Sequence, residues 1–160
     1  MFSIDIVHGQ SKPAVYRDLL AAALALTDGE SDAVANMANI AALIPMFVGE
    51  LNWAGFYRVQ NNELILGPFW GKPACIRIAL GQGVCGTAAA LSQTQLVEDV
   101  HTFAGHIACD SASRSELVVP VRLAGRVIAV IDLDSPLLAR FDAEDAAGIE
   151  ALSAAIADRI

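Results

Sequence analysis

The chain opens its helical pattern at Lys12 or Pro13, where proline suits a first turn and the Ala- and Leu-rich stretch to about Leu26 follows, until Thr27-Asp28-Gly29 ends it. A second helix starts near Ser31, with Ser31 or Asp32 as cap. Val34, Met37, Ile40, Ala41 and Ile44 recur there at helical spacing, and Pro45 is expected to weaken or break it. From Trp53 the period shortens. Trp53 to Val59 and Glu63 to Leu66 read as a hairpin around Gln60-Asn61-Asn62, closed by Gly67-Pro68. Cys75 to Leu80 is a further strand. Gly81 to Gly86 then forms a flexible lead-in to a short helix over Thr87 to Leu91, and Gln95 to Val97 returns to strand.

Asp99 to Ser115 has no periodicity but many chemically active side chains, which marks a long ordered loop. Leu117 to Leu123 and Val127 to Asp134 make a hairpin around Ala124-Gly125, with Pro120 at an irregular or edge position. Asp142 and Asp145 start a last helix that runs toward Arg159. The implied fold is α+β: one domain over 1–160, with a central antiparallel sheet and the N- and C-terminal helices packed on it.

Composition narrows the function. Eighteen acidic against ten basic residues leave a net charge of −8, which repels phosphate backbones and anionic membranes, so neither nucleic acid nor a membrane is an expected partner. Apolar runs are interrupted before the ~20 residues that span a bilayer, and the first residues lack the pattern of a secretory signal. A cytoplasmic, reducing location is the expectation. There, an odd set of three cysteines, Cys75, Cys85 and Cys109, cannot all form structural bridges.

The chemistry concentrates at the end of the last hairpin. Asp132 and Asp134, two apart on a strand, point to one face, which is also expected to carry Ile128 and Val130. A three-residue turn over Ala124 to Arg126 pairs Leu123 with Val127 and places Glu116 opposite Asp134, whereas a two-residue turn places it opposite Leu133. The first register gathers three carboxylates. Such a cluster calls for an ammonium ligand, a metal ion or acid catalysis, because a shared proton raises one pKa. No metal is expected: no His pair stands at i and i+4, no Cys-x-x-Cys occurs, and the thiols lie ten and twenty-four positions apart. Cys109 in its loop and Cys85 among glycines both look accessible, and His101, His106 and Arg114 are candidate cations that could favour a thiolate, although His101 reads better as a structural hydrogen-bonding group.

Seven segments in order carry a resemblance. Asn52 to Tyr57, Leu66 to Phe69, Gly71 to Cys75, Gly81 to Gly86, Phe103 to Asp110, Ser115 to Pro120 and Asp132 to Pro136 together resemble the GAF-domain free methionine-R-sulfoxide reductases. Ala104 departs from that pattern, standing where proline is common. The resemblance implies a homodimeric GAF fold whose pocket takes one free amino acid, lined by Trp53, Glu116, Asp132 and Asp134. It implies Cys109 as nucleophile and leaves Cys75 and Cys85 both open as the resolving thiol.

In the implied reaction the sulfoxide oxygen must be protonated as the thiolate attacks, with Glu116 or Asp134 as donor. Cys109 becomes a sulfenic acid, then a disulfide that thioredoxin or a similar dithiol reduces, with no tightly bound cofactor. The competing expectation is a non-catalytic GAF module that senses a small molecule or redox state and binds without turnover.

Overall fold

A computed structural model describes residues 9–107 and 110–160. Helices α1 (Lys12–Leu26) and α2 (Ala33–Phe47) precede the hairpin strands β1 (Trp53–Gln60) and β2 (Glu63–Gly71). Then come β3 (Arg77–Ala79), α3 (Gly83–Leu91) and β4 (Gln95–Val97). The last elements are the long hairpin β5 (Ser115–Leu123) and β6 (Arg126–Ser135), and α4 (Ala143–Ile156). A 3-10 turn over Val100–Thr102 interrupts the segment expected to be irregular throughout.

The six strands form one antiparallel sheet in the order β3-β2-β1-β6-β5-β4. Alternation along the strands divides two apolar layers between its faces. On one face Phe56, Leu117, Val119, Ile131 and Leu133 pack under α1, α2 and α4, with Leu19, Ile40, Ile44, Ile149 and Leu152 facing them. The other face carries Trp53, Tyr57, Val118 and Val130 against Val84, Cys85 and Ala88 of α3. This α+β arrangement agrees with the sequence expectation.

Local details differ instructively. Pro45 sits inside α2 without ending it, because the helix needs only two more residues to finish and Val48 N–H still reaches the Ile44 carbonyl at 2.8 Å. Gly67-Pro68 does not close β2. The strand continues to Gly71, and a register shift between Gly55 and Tyr57 absorbs the irregularity. Pro120 lies in β5 beyond the short β4, which pairs only with Glu116 to Val118, so β5 has no strand neighbour on that side of the proline. The Pro120 carbonyl instead accepts from Ser153 Oγ of α4 at 2.9 Å.

The β5–β6 register has a different cause from the one expected. The turn is the two-residue Ala124-Gly125 and pairs Leu123 with Arg126. A bulge between Val121 and Arg122 then shifts the ladder by one residue and restores Glu116 opposite Asp134. The bulge also moves Ile128 off the face of the acids: it packs with the helical layer, while Val127 and Val130 stay on the α3 side.

Asp145 closes the helical side. It is 1% exposed, accepts from Tyr16 Oη at 2.8 Å and pairs with Lys12 Nζ at 2.6 Å and Arg140 Nη1 at 3.5 Å. Its carboxylate also completes the α4 capping box with Asp142. Asp145→Ala strands these partners in a poorly hydrated place and is expected to cost about 3 kcal/mol, seen as a lower denaturation midpoint with an unchanged slope.

Candidate active site

Three neighbouring strands bring the acids together. In the ladder Trp53 of β1, Asp134 of β6 and Glu116 of β5 stand in one row, and Gly55, Asp132 and Val118 stand in the next. Directly opposite residues share a face, so Trp53, Glu116, Asp132 and Asp134 all look toward α3. Gly55 is required in the second row: a Cβ there would lie 2.7 Å from the Trp53 ring and 2.4 Å from the Phe69 side chain. That space lets Trp53 lie flat between Tyr57 and Phe69, with ring centroids 5.9 and 5.3 Å away.

Helix α3 supplies the roof. Sequence periodicity started it at Thr87, but it begins at Gly83, whose φ of +61° favours glycine. Cys85 therefore lies in the first helical turn rather than in a movable glycine segment. Its side chain is 4% exposed, so the expected accessibility is corrected to burial by the helix and the sheet beneath it. Its Sγ and carboxylate oxygens of Glu116 and Asp132 all lie within 4.8 Å of one another.

Burial and crowding determine the protonation of this cluster. Glu116 and Asp132, each 6% exposed, have pKa values well above the carboxylate range, first because burial penalises their charge and then because neighbouring acids repel it. Asp134 is half-buried and pushed up to about 7 by burial, against a lowering hydrogen bond from Ser113. Burial likewise raises the Cys85 thiol, and the adjacent carboxylates raise it further. The cluster therefore holds protons at neutral pH. Asp132 Oδ1 is buried with no hydrogen-bond partner among the described residues.

The pocket, about 540 Å³ including its open mouth, is lined by these acids, Trp53, Tyr57, Cys85, Lys72, His106 and Asp110. Two aromatic donors pin the segment that carries Cys75: Trp53 Nε1 donates to the Lys72 carbonyl at 3.1 Å, and Tyr57 Oη donates to the Cys75 carbonyl at 3.0 Å. Lys72 Nζ pairs with Asp110 at 3.1 Å, while Asn52 Nδ2 donates to Asp110 at 3.3 Å and to Ser113 Oγ at 2.9 Å. Cys75 is engaged in a disulfide, and Cys85 is a free thiol. Cys109, the expected nucleophile, lies outside the described residues.

The candidate cations divide. His106 approaches the site, with Nε2 3.9 Å from Glu116 Oε2, and burial lowers its pKa so that it favours the neutral ring. His101 bonds exposed Asp99 at 2.8 Å, the structural role expected of it. Arg114 is exposed and its backbone N–H joins Ser135. Tyr57, Lys72, Asp110, Asn52 and Ser113 were not singled out from the sequence. Asn52, Tyr57, Lys72 and Asp110 fall within the motif segments that carry the resemblance, and Tyr57 left a further signal, an even spacing from Trp53 on one strand that puts both on the acid face.

The comparisons fit this geometry. The GAF domain family matches residues 15–160. The free methionine-R-sulfoxide reductase of Escherichia coli (strain K12) is 48% identical, covering 90% of this chain and 87% of its own. The free methionine-R-sulfoxide reductase of Saccharomyces cerevisiae is 42% identical over 89% and 84%. The Neisseria meningitidis free methionine-R-sulfoxide reductase, solved in complex with its substrate, superposes with a TM-score of 0.94 at 43% identity, covering 99% of this chain and 95% of that one. The chain belongs to the GAF-domain family and, within it, to the free methionine-R-sulfoxide reductases.

The raised acid has a measurable consequence. Because the folded Asp134 keeps its proton up to about pH 7 while an unfolded aspartate releases it near 3.8, its contribution to stability is present at low pH and is lost as pH rises across that window. Asp134→Asn removes this loss. Denaturant melts should show the variant gaining stability relative to the parent from about pH 4 to about pH 7, with no further gain above.

Proposed function

We propose that this chain reduces free L-methionine-(R)-S-oxide to L-methionine with Cys109 as nucleophile and Cys75 as resolving thiol. The observation that carries the proposal is the row of acids with raised pKa values that stands beside Trp53 in one pocket. Family membership supports the same reaction. Asp132, whose Oδ1 has no hydrogen-bond partner among the described residues, accepts the substrate ammonium together with Asp134. Glu116 is the first choice for the donor to the sulfoxide oxygen, because it is buried more deeply than Asp134, and burial followed by the repulsion of Asp132 and Asp134 raises its pKa. Trp53 packs against the methyl-thio end.

The oxygen passes from substrate sulfur to Cys109 while two electrons pass to the sulfoxide, giving methionine and a sulfenic acid. The Cys75 thiol then displaces water from that sulfenic acid and closes a disulfide. Cys75 suits this role better than Cys85 because it is already engaged in a disulfide, whereas Cys85 is buried between α3 and the sheet with a raised pKa. A thioredoxin-type dithiol returns the pair to thiols, and the cycle calls for no tightly bound cofactor.

The working protein is a homodimer. An apolar groove between α1 and α4, lined by Leu20, Ala147, Gly148 and Ala151, offers a surface for the second copy. The cytoplasm is the compartment in which such a dithiol cycle runs. No helix among the described residues is long and apolar enough to cross a membrane.

Thioredoxin-coupled turnover tests the activity. The free R epimer is expected to be reduced, the S epimer not, and N-acetylated substrate far more slowly, since acylation removes the ammonium charge. Equal efficiency on the acetylated and free compounds overturns the ammonium assignment.

The thiol roles separate in a single turnover. Cys109→Ser should release no methionine, while Cys75→Ser should release one per site and stop as a sulfenic acid visible by mass spectrometry. A full burst from Cys109→Ser would reassign the nucleophile.

A further inference from the structure

Cys85 has no step in the proposed reaction, yet it is placed among acids. Its Sγ, one oxygen of Glu116 and one of Asp132 lie mutually within 4.8 Å, and all three side chains are buried. An ammonium group needs carboxylates and gains little from a thiol. A thiol with two carboxylates is instead a donor set for a borderline-soft divalent cation. Hard cations fit poorly, because calcium and magnesium require six or more oxygens.

Zinc-type coordination asks for four donors at about 2.0–2.3 Å, and three candidate donors stand together here, mutually within 4.8 Å. A second observation points to a missing partner. Asp132 Oδ1, buried in the pocket wall, has no hydrogen-bond partner among the described residues. His106 offers a fourth ligand from the mouth, its Nε2 3.9 Å from Glu116.

We propose that Cys85, Glu116 and Asp132 form an inhibitory site for a thiophilic divalent ion such as Zn²⁺, completed by His106 or water, which excludes the substrate. Coordination forms metal–sulfur and metal–oxygen bonds and releases the thiol and carboxyl protons to solvent, with no change of oxidation state. The ion blocks the reaction twice: it takes the Asp132 oxygen that would meet the substrate ammonium, and it removes the proton that Glu116 would donate. Only this competition rests on the reductase reading. The metal site itself rests on the three side chains.

The test uses the reduced full-length chain freed of dithiols, with Co²⁺ as spectroscopic probe. The Cys75→Ser/Cys109→Ser double variant retains Cys85 as its only thiol. It should give a thiolate-to-cobalt charge-transfer band that saturates at one equivalent, disappears on adding Zn²⁺ and falls on adding free methionine-R-sulfoxide. Adding Asp132→Asn to that background should weaken Co²⁺ binding at least about tenfold, since even outer-shell partners of a metal count on that scale. Absence of the band in the double variant, a band insensitive to the sulfoxide, or unchanged affinity in Asp132→Asn each overturns the proposal. Metal-free turnover by the parent chain is measured separately, so failure of the metal site and failure of the reductase reading give different results.

Discussion

Everything in the pocket depends on the pairing that places Glu116 opposite Asp134 in the middle of a sheet, beneath a helix. A two-residue turn alone would leave Glu116 opposite Leu133, and the alternation of strand side chains would then send the acid into the helical core. The bulge at Val121 and Arg122 prevents this by inserting one residue on β6 before the acids are reached. The same extra residue puts Ile128 and Ala129 both on the helical side. One local irregularity thus supplies an apolar layer for α4 and an acidic row for the pocket.

Holding those acids away from water opposes folding. Their raised pKa values mean that the folded chain keeps protons which the unfolded chain gives up, so at neutral pH the site subtracts from stability. The opposing contribution comes from the other face. There the fully buried Leu19, Ile40, Ile44, Leu117, Ile131, Leu133 and Ile149 pack under three helices, and Asp145 ties the starts of α1 and α4 to Arg140. The acids of the two faces have opposite fates. Asp145 is satisfied by Lys12, Arg140 and Tyr16, whereas Asp132 keeps an oxygen without a partner among the described residues, as a group reserved for a ligand does.

What the sequence revealed follows from the range of its signals. Strand alternation and helix caps are local, so the element order, the Asp142–Asp145 helix start and the face shared by Asp132 and Asp134 were legible. The family motifs named Trp53, Glu116, Asp132 and Asp134, and the structure unites them in one pocket. Two turn lengths stayed open, and their combination with a bulge was not foreseen, because a bulge leaves no mark in polarity when Val127 and Ile128 are both apolar. Cys85 was misjudged because glycine suggests freedom, while here Gly83 serves a left-handed helix start and Gly86 lets α3 settle onto β3, where a Cβ would meet the Ala79 carbonyl at 2.4 Å. Contacts such as Lys72–Asp110 join residues 38 apart and were invisible for that reason.

The site divides its tasks between rigid and adjustable parts. Acids stand on paired strands, where backbone ladders keep the proton donor in one place, while Cys75, the proposed resolving thiol, lies on the segment between β2 and β3. Trp53 and Tyr57, both buried, fix the backbone on the Cys75 side. Across the mouth, Asp110 is held by an ion pair with exposed Lys72, the type that contributes at most about 1 kcal/mol, and by a hydrogen bond from Asn52 Nδ2 at 3.3 Å. Buried donors thus hold the wall that carries the proposed resolving thiol, while an exposed ion pair joins that wall to Asp110 across the mouth.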